Sequence, residues 1–143
     1  VCSSDLSGTA LLRSARELAD SANDAGARLR QLRDEAGELK GEQVYQAILE
    51  GDSGALGLLE DLGSWLGQTI ASLSAVLDPE VVVIGGGVSA AGELLLEPIR
   101  KAYLANMPAR GFRPELQLKV AEFVNDAGVV GAADLVRLAV SQR

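Results

Sequence analysis

Pro79-Glu80-Val81-Val82-Val83-Ile84-Gly85-Gly86-Gly87-Val88 is the segment from which the fold is most readily inferred. Its four consecutive apolar residues predict a strand at residues 80–84 that is buried on both faces, as in a parallel sheet covered by helices. Glycines after such a strand allow a ligand to approach the backbone closely. Because ligands of open α/β sheets bind outside the carboxyl ends of the strands, we predict a nucleotide site at Gly85, Gly86 and Gly87.

The three glycines have two other interpretations. A tight strand-to-helix turn would need only their conformational freedom, but three in a row favour the ligand site. The spacing Gly85-x-Gly87-x-x-Ala90 also fits a loose dinucleotide-binding fingerprint. That fingerprint requires an acidic residue about 20 positions further on, at the end of the next strand. Neither Glu115 nor Glu122 fits this position well, which disfavours a dinucleotide-binding oxidoreductase.

A long helix is predicted before the strand, from Ser53 to Leu77, with one continuous apolar stripe. Gly63 and Gly67 lie one turn apart inside it. Since an interior glycine costs about 1 kcal/mol relative to alanine, we expect another backbone to pack closely there. Pro79 ends the helix, because the residue before a proline is pushed out of helical geometry. The stripe consists of Leu56, Leu59, Leu62, Leu66, Ile70, Leu73 and Leu77.

Shorter elements precede the long helix. Ser7-Gly8-Thr9 begins a helix, residues 27–41 predict a short helix or a loop, and residues 42–50 predict a helix. Either Asp52 or Ser53 caps the long helix. In the helix that begins at Ser7-Gly8-Thr9 and in the helix at residues 42–50, some side chains are expected to face inward. They are Leu11, Leu12, Ala15, Leu18, Ala19, Ala22, Val44, Ala47 and Ile48.

A strand–helix–strand unit begins at residue 80. Ser89 is expected to cap a helix that runs through Tyr103, and alternating residues at 115–123 predict a half-buried second strand. The two strands should be parallel, with a right-handed crossover. Two strands do not make a stable sheet, so the remaining strands are expected before residue 7. A last helix follows, with Val129, Val130, Ala133, Leu135, Val136 and Ala139 facing inward.

Composition argues against several functional classes. The 143 residues carry a net charge of −7, which argues against nucleic acid as a partner, and Arg28, Arg30 and Arg33 are interpreted as a solvated helix face. The absence of histidine excludes Ser-His and Cys-His catalytic pairs within this sequence. The longest uncharged run, residues 62–77, is shorter than the roughly 20 apolar residues of a membrane span, so no membrane partner is expected.

The first six residues, Val1 to Leu6, differ in character from the rest of the sequence. They contain no start methionine and no signal-peptide pattern. They are also the translation of GTG TGC TCT TCC GAT CT, the end of a common DNA-sequencing adapter. We therefore expect residues 1–6 to be an adapter artefact and residues 7–143 to be the carboxyl-terminal portion of a longer protein. A genuine terminus is the alternative.

Four segments carry a family resemblance. They are Ser7-Gly8-Thr9-Ala10-Leu11, Gly63-x-Trp65-Leu66-Gly67, Leu77-Asp78 followed by the glycine-containing segment quoted above, and Asn125-Asp126-Ala127-Gly128-Val129-Val130-Gly131-Ala132-Ala133. In this order they resemble the carboxyl-terminal part of bacterial sugar kinases of the ROK family, and within it the glucokinases. The resemblance covers residues 7–140. It implies an α/β fold, namely the carboxyl-terminal portion of an actin-like ATPase (ribonuclease H-like) fold with the active site between two lobes.

The resemblance implies an ATP-dependent hexose kinase that converts glucose to glucose 6-phosphate with ATP and Mg²⁺. In such kinases the glycine motif belongs to the adenosine site, so Gly85, Gly86 and Gly87 are carried over as cofactor-binding residues. The family also implies a cytoplasmic homo-oligomer. Gly128 and Gly131 are expected to let the last helix pack near the sheet, Asn125-Asp126 to cap that helix, and Trp65 to anchor the core.

The motifs that would complete the active site do not occur in this sequence. The family's phosphate-binding Asp-x-Gly-x-Thr pattern is absent, and the aspartate that should deprotonate the sugar hydroxyl belongs to the amino-terminal half. Aligning the family's zinc loop on Ser7-Gly8 places its last cysteine at Val1 and a sugar-binding glutamate at Ser3. Neither residue matches. We therefore assign no catalytic and no metal residue here, expect any structural zinc upstream, and expect this chain alone to be inactive.

A second hypothesis from the same family is a sugar-responsive transcriptional repressor, whose DNA-binding helices would lie upstream. A repressor does not need ATP and can lose the adenosine glycines. The intact glycines at 85–87 therefore favour the kinase.

Overall fold

The computed structural model describes residues 6–108, 111–112, 114–123 and 126–141, and helices dominate that part of the chain. Five of the six residues of the predicted adapter artefact, and Asn125, lie outside the described residues. The helices are α1 (Gly8–Asp20), α2 (Ala27–Ala36), α3 (Gly41–Leu49), α4 (Ser53–Leu77), α5 (Glu93–Asn106) and α6 (Ala127–Ser141). The strands are β1 (Val81–Ile84) and β2 (Gln117–Val120), and short 3₁₀ turns occupy Asp24–Gly26 and Gly87–Ala91.

The first three helices lie close to their predicted positions. Ser7 caps α1, because its Oγ accepts a hydrogen bond of 3.3 Å from the backbone N–H of Ala10. Ala22 lies beyond the end of α1. The region 27–41, which the sequence left open between helix and loop, contains α2. The three helices form one side of the core with Leu11, Ala15, Ala19, Leu29, Leu32, Val44, Ala47 and Ile48, all buried.

The arginines of α2 make contacts within the fold. Arg28 pairs with Glu50 at 2.7 Å and Arg33 pairs with Asp20 at 2.6 Å, while Arg30 donates to backbone carbonyl groups just after α1. The hydrogen bond from Arg28 lowers the pKa of Glu50 to about 2. These ion pairs lie at the surface and connect α2 to α1 and to Glu50, the residue after α3.

Local sequence sets both ends of α4. Asp52, rather than Ser53, is its cap, since a carboxylate oxygen of Asp52 accepts a 2.9 Å hydrogen bond from the N–H of Ala55. At the other end Asp78 adopts the left-handed conformation with φ 46° and ψ 50°, which aspartate tolerates better than most residues. Pro79 follows, as predicted, and the chain turns into β1.

Gly63 and Gly67, in the middle of α4, allow α5 to approach closely, which confirms the prediction made for them. A Cβ atom on Gly63 would lie 2.7 Å from Cγ of Pro98, and one on Gly67 would lie 2.4 Å from the carbonyl oxygen of Ile99. Both distances are shorter than carbon atoms tolerate without movement. The pairing of α4 with α5 therefore depends on the absence of side chains at these two positions.

The sheet is parallel, with β1 paired to β2 in the register Val81↔Gln117 to Ile84↔Val120. In β2 the face carrying Leu118 is half-buried, as predicted. The prediction that β1 is buried on both faces is wrong for this chain, because Val81 and Val83 are 40% and 59% exposed. Within the described residues, only the face bearing Val82 and Ile84 packs against the core.

Other apolar surfaces predicted to be buried are also exposed. Leu73 and Leu77, at the end of the α4 stripe, are exposed, and so is Trp65, at 50%. Trp65 is thus not a core anchor here. These residues lie on faces of α4 that are not covered by the described elements, so their apolar side chains meet solvent.

The last helix does not pack inward as predicted. A Cβ on Gly128 or Gly131 would meet nothing within 4 Å, so neither glycine serves close packing in this structure. Of the predicted inward residues, Val129, Val130, Ala133, Leu135 and Val136 are exposed, and the side chain of Ala139 lies outside the described part. Among the described residues, no helix combines the length and apolar character needed to cross a membrane.

Candidate functional site

The glycines after β1 open a turn that we call the glycine turn (residues 85–92). Gly86 has φ 87°, a conformation that side-chain-bearing residues rarely adopt. A Cβ on Gly86 would meet nothing within 4 Å, and one on Gly85 would meet only Cβ of Ala121, at 3.7 Å. Gly86 is therefore required by backbone conformation. All three glycines are exposed, so a ligand can reach their backbone.

Ser89 closes the glycine turn instead of capping α5 as predicted. Its Oγ donates to the carbonyl oxygen of Gly86 at 2.7 Å, and its backbone N–H donates to the same oxygen at 3.0 Å. Its side chain is buried. The residue that flanks the start of α5 is Gly92, with φ 57°. The turn thus depends on glycine in positive-φ conformations at two positions, Gly86 and Gly92.

Two elements distant in sequence contact the glycine turn. The first residue of α1, Gly8, lies so close to Val88 that a Cβ on Gly8 would be 2.9 Å from Cγ2 of Val88. From α3, the hydroxyl of Tyr45 donates a 3.2 Å hydrogen bond to the carbonyl oxygen of Ala90. The segment that begins α1 and the segment that follows β1 are therefore neighbours in space.

A cleft of about 400 Å³ lies where α1, α3 and the glycine turn meet. This volume falls within the range of about 300–1,000 Å³ that is common for small-molecule sites. The walls are mainly apolar, and the polar side chains among the lining residues are those of Glu42 and Tyr45. The lining residues are Gly8, Leu11, Leu12, Gly41, Glu42, Val44, Tyr45, Ile48, Gly87, Val88, Ala90 and Ala91.

The lining of the cleft suits an apolar group that carries a hydrogen-bond donor. Its leucine, valine and isoleucine side chains can contact a ring, while the Glu42 carboxylate can accept hydrogen bonds from hydroxyl groups. In the part of the chain that the structure describes, no three side chains of His, Cys, Asp or Glu are arranged to hold a metal ion. A larger cleft, of about 580 Å³, lies between α4 and α5, but no residue of the glycine turn lines it.

Of the three predicted site residues, Gly87 lines the cleft, while Gly85 and Gly86 lead into it from β1. Sequence reasoning missed Glu42 and Tyr45. The periodicity of α3 identified its buried face at Val44 and Ile48, and nothing in that pattern distinguishes the neighbouring tyrosine. Tyr45 is 45 positions from Ala90, so the contact becomes visible only in the folded chain.

Comparisons with known proteins agree with the resemblance seen in the sequence. A family model described as the ROK family matches residues 3–139. The glucokinase of Streptomyces coelicolor is 35% identical over 132 residues, which cover 92% of this chain and 42% of the relative. The glucokinase of Halalkalibacterium halodurans is 39% identical over 107 residues, which cover 73% of this chain and 31% of the relative.

A similar solved structure is that of a ROK family glucokinase from Streptomyces griseus in complex with glucose and AMPPNP. It matches with a TM-score of 0.78 and 34% identity, over 90% of this chain and 42% of that chain. These matches confirm the predicted fold class, the α/β, actin-like ATPase fold, and do not support a dinucleotide-binding oxidoreductase. The chain spans less than half the length of these relatives.

Proposed function

Since this chain belongs to the ROK family, we propose that it is the carboxyl-terminal portion of an ATP-dependent hexose kinase that converts glucose to glucose 6-phosphate. The observation that carries the proposal is the cleft at the carboxyl end of β1. Two segments of the family resemblance, Ser7-Gly8 and Gly85 to Val88, meet there although they are almost 80 positions apart. Open α/β sheets bind ligands at this end of their strands.

In this proposal the chain supplies the adenosine side of the ATP site. The backbone of Gly85, Gly86 and Gly87 borders the nucleoside, because no side chain there prevents close approach. The apolar walls of the cleft contact the base, and Glu42 is placed to accept hydrogen bonds from ribose hydroxyl groups.

The rest of the full-length protein supplies the chemistry in this proposal. Phosphoryl transfer depends on positioning the reactants and on neutralising the charge of the phosphates, and Mg²⁺ bound with ATP contributes to that neutralisation. The base that activates the sugar hydroxyl, the sugar ligands, the phosphate-binding loop and any structural zinc are assigned to the region before residue 7. This chain contributes nucleotide binding and no catalytic base.

The same proposal accounts for the exposed apolar surfaces. Val81 and Val83 on β1, and the valines and leucines of α6, are exposed here. Large exposed apolar patches indicate contact surfaces, and we propose that further strands and helices of the full-length protein cover them. Association of two full-length copies is a further proposal that follows from the family resemblance.

The test begins by reading the source DNA upstream of Ser7 and expressing the full-length protein. Its ATP-dependent phosphorylation of glucose, mannose, N-acetylglucosamine and N-acetylmannosamine is then measured by ADP release. We expect phosphorylation with glucose as the preferred substrate. Absence of ATP-dependent phosphorylation of every hexose would contradict the proposal, and an upstream DNA-binding segment together with sugar-dependent DNA binding would favour the repressor.

A matched pair of variants tests the glycine turn. Gly86→Ala places a side chain where φ is 87°, directly before Gly87 of the cleft wall, whereas Gly111→Ala does so at φ 88° in a segment of which no residue lines the cleft. Both substitutions should lower the free energy of unfolding by similar amounts, because alanine is strained at positive φ. We expect kcat/KM for ATP to fall about tenfold or more in Gly86→Ala alone, since a displaced turn removes binding contacts worth over 1.4 kcal/mol. Equal effects would show that the turn has no special role in nucleotide binding.

A further inference from the structure

The glycine turn is held internally by hydrogen bonds between near neighbours, since Gly86 accepts from the backbone N–H of Ser89 and Ser89 accepts from that of Gly92. Two of its glycines, Gly86 and Gly92, have φ values of 87° and 57°, which glycine adopts as readily as negative φ values. Ser89 makes one side-chain hydrogen bond inside the turn, to the carbonyl oxygen of Gly86. These bonds set the local shape of the turn, whereas contacts from outside set where it lies: Ala91 is buried in the core, Val88 packs against Gly8, and Ala90 accepts a hydrogen bond from Tyr45.

Tyr45 connects the part of the cleft wall formed by α3 with the part formed by the glycine turn. It lies on α3, which the buried side chains of Val44 and Ile48 hold in the core. Its hydroxyl is 3.2 Å from the carbonyl oxygen of Ala90, and the residue also lines the cleft. A helix with a buried face thus presents a donor to a turn whose backbone borders the candidate nucleotide site.

We propose that Tyr45 is a positioning residue for nucleotide binding, which holds the glycine turn in its binding conformation through the hydrogen bond to Ala90. This inference rests on the proposed function, and it adds a residue to which neither the sequence nor the family resemblance assigns a role. When a binding-competent conformation is populated only in part, the apparent affinity falls in proportion to that population. Loss of the hydroxyl should therefore weaken ATP binding without changing the chemistry.

The test uses Tyr45→Phe in the full-length protein, with Tyr103→Phe as the matched control. Tyr103 is the other tyrosine of this sequence, and its hydroxyl accepts a hydrogen bond from the N–H of Leu116, near β2 and outside the lining of the cleft. Each variant removes one hydroxyl and keeps the ring. Steady-state kinetics would give KM for ATP, KM for the sugar and kcat, and hydrogen–deuterium exchange would report on residues 87–92.

We expect Tyr45→Phe to raise KM for ATP about two- to tenfold, the range of one neutral hydrogen bond, with kcat and KM for the sugar unchanged. Exchange at residues 87–92 should become faster in Tyr45→Phe and stay unchanged in Tyr103→Phe. An unchanged KM for ATP would overturn the proposal, and so would an equal rise in both variants.

The failure of this inference is distinguishable from the failure of the proposed function. If the unmodified protein phosphorylates hexoses and Tyr45→Phe behaves like it, only the role of Tyr45 is refuted. If the unmodified protein neither phosphorylates hexoses nor binds ATP, the proposed function fails, and the nucleotide role of Tyr45 fails with it. The exchange measurement then still reports whether the hydroxyl restrains the turn.

Discussion

At Gly67 the backbones of α4 and α5 leave no room for a side chain. A Cβ atom there would lie 2.4 Å from the carbonyl oxygen of Ile99 and 2.8 Å from the backbone nitrogen of Tyr103. Backbone atoms can move only if the whole helix shifts, since interiors are closely packed. We expect Gly67→Ala to lower the free energy of unfolding by about 1–3 kcal/mol, the usual cost of overpacking, as measured by urea denaturation.

Gly57 provides the matched control on the same helix. A Cβ at this position would meet nothing within 4 Å, so Gly57→Ala introduces no contact. Alanine is favoured over glycine inside a helix by about 0.8–1.0 kcal/mol. The control should therefore be neutral or more stable than the unmodified protein. If Gly67→Ala were equally stabilising, the close approach of α4 and α5 at this position would be disproved.

Asp52 determines where helix α4 begins, because its side chain caps the helix. The carboxylate accepts a hydrogen bond from the N–H of Ala55, one of the amides that lack a partner within the helix. It also places negative charge at the positive end of the helix dipole. Asp52→Ala should lower the free energy of unfolding by about 0.5–2 kcal/mol, measured as a shift in thermal unfolding.

Ser53→Ala is the control for the cap. Ser53 is the first residue of α4 and is exposed, and the sequence alone allowed it as an alternative cap. Alanine is a strong helix former, so this variant should change the free energy of unfolding by less than about 0.5 kcal/mol, as is usual at surface positions. A loss as large as that of Asp52→Ala would mean that the two residues share the capping role.

At the scale of the whole molecule, we propose that the rest of the full-length protein covers the exposed face of β1. A substitution on that face tests this proposal. Val83 is 59% exposed in this chain, and under our proposal the rest of the full-length protein covers it. Val83→Thr keeps shape and strand propensity but adds a hydroxyl group. Burial of that hydroxyl without a partner should lower the free energy of unfolding of the full-length protein by about 1–3 kcal/mol, measured by urea denaturation.

If Val83 stays exposed in the full-length protein, the expected change in stability is smaller. A substitution at a position that stays exposed usually changes stability by less than about 0.5 kcal/mol. A change of that size in the full-length protein would mean that nothing covers this face of β1. The additional strands that we place before residue 7 would then have to pair elsewhere.

Much of the fold followed from rules that act over a few residues. Caps at Ser7 and Asp52, the helix-ending Pro79, and the glycines of α4 and of the turn after β1 all act within a few positions of where they occur. These features depend on backbone conformation and on hydrogen bonds between near neighbours. The order of elements followed from the spacing of apolar residues, and the parallel pairing of β1 with β2 followed from the strand–helix–strand order.

Which residues are buried, and which residues far apart in sequence touch each other, could be determined only from the folded chain. The apolar pattern marks Trp65, Val83 and the valines of α6 as residues that could be buried, yet all are exposed here, because burial depends on which element packs against them. The hydrogen bond from Tyr45 to Ala90 and the contact of Gly8 with Val88 likewise join residues far apart in sequence. Periodicity shows which face of a helix is apolar, whereas the partner of that face is set by the packing of whole elements.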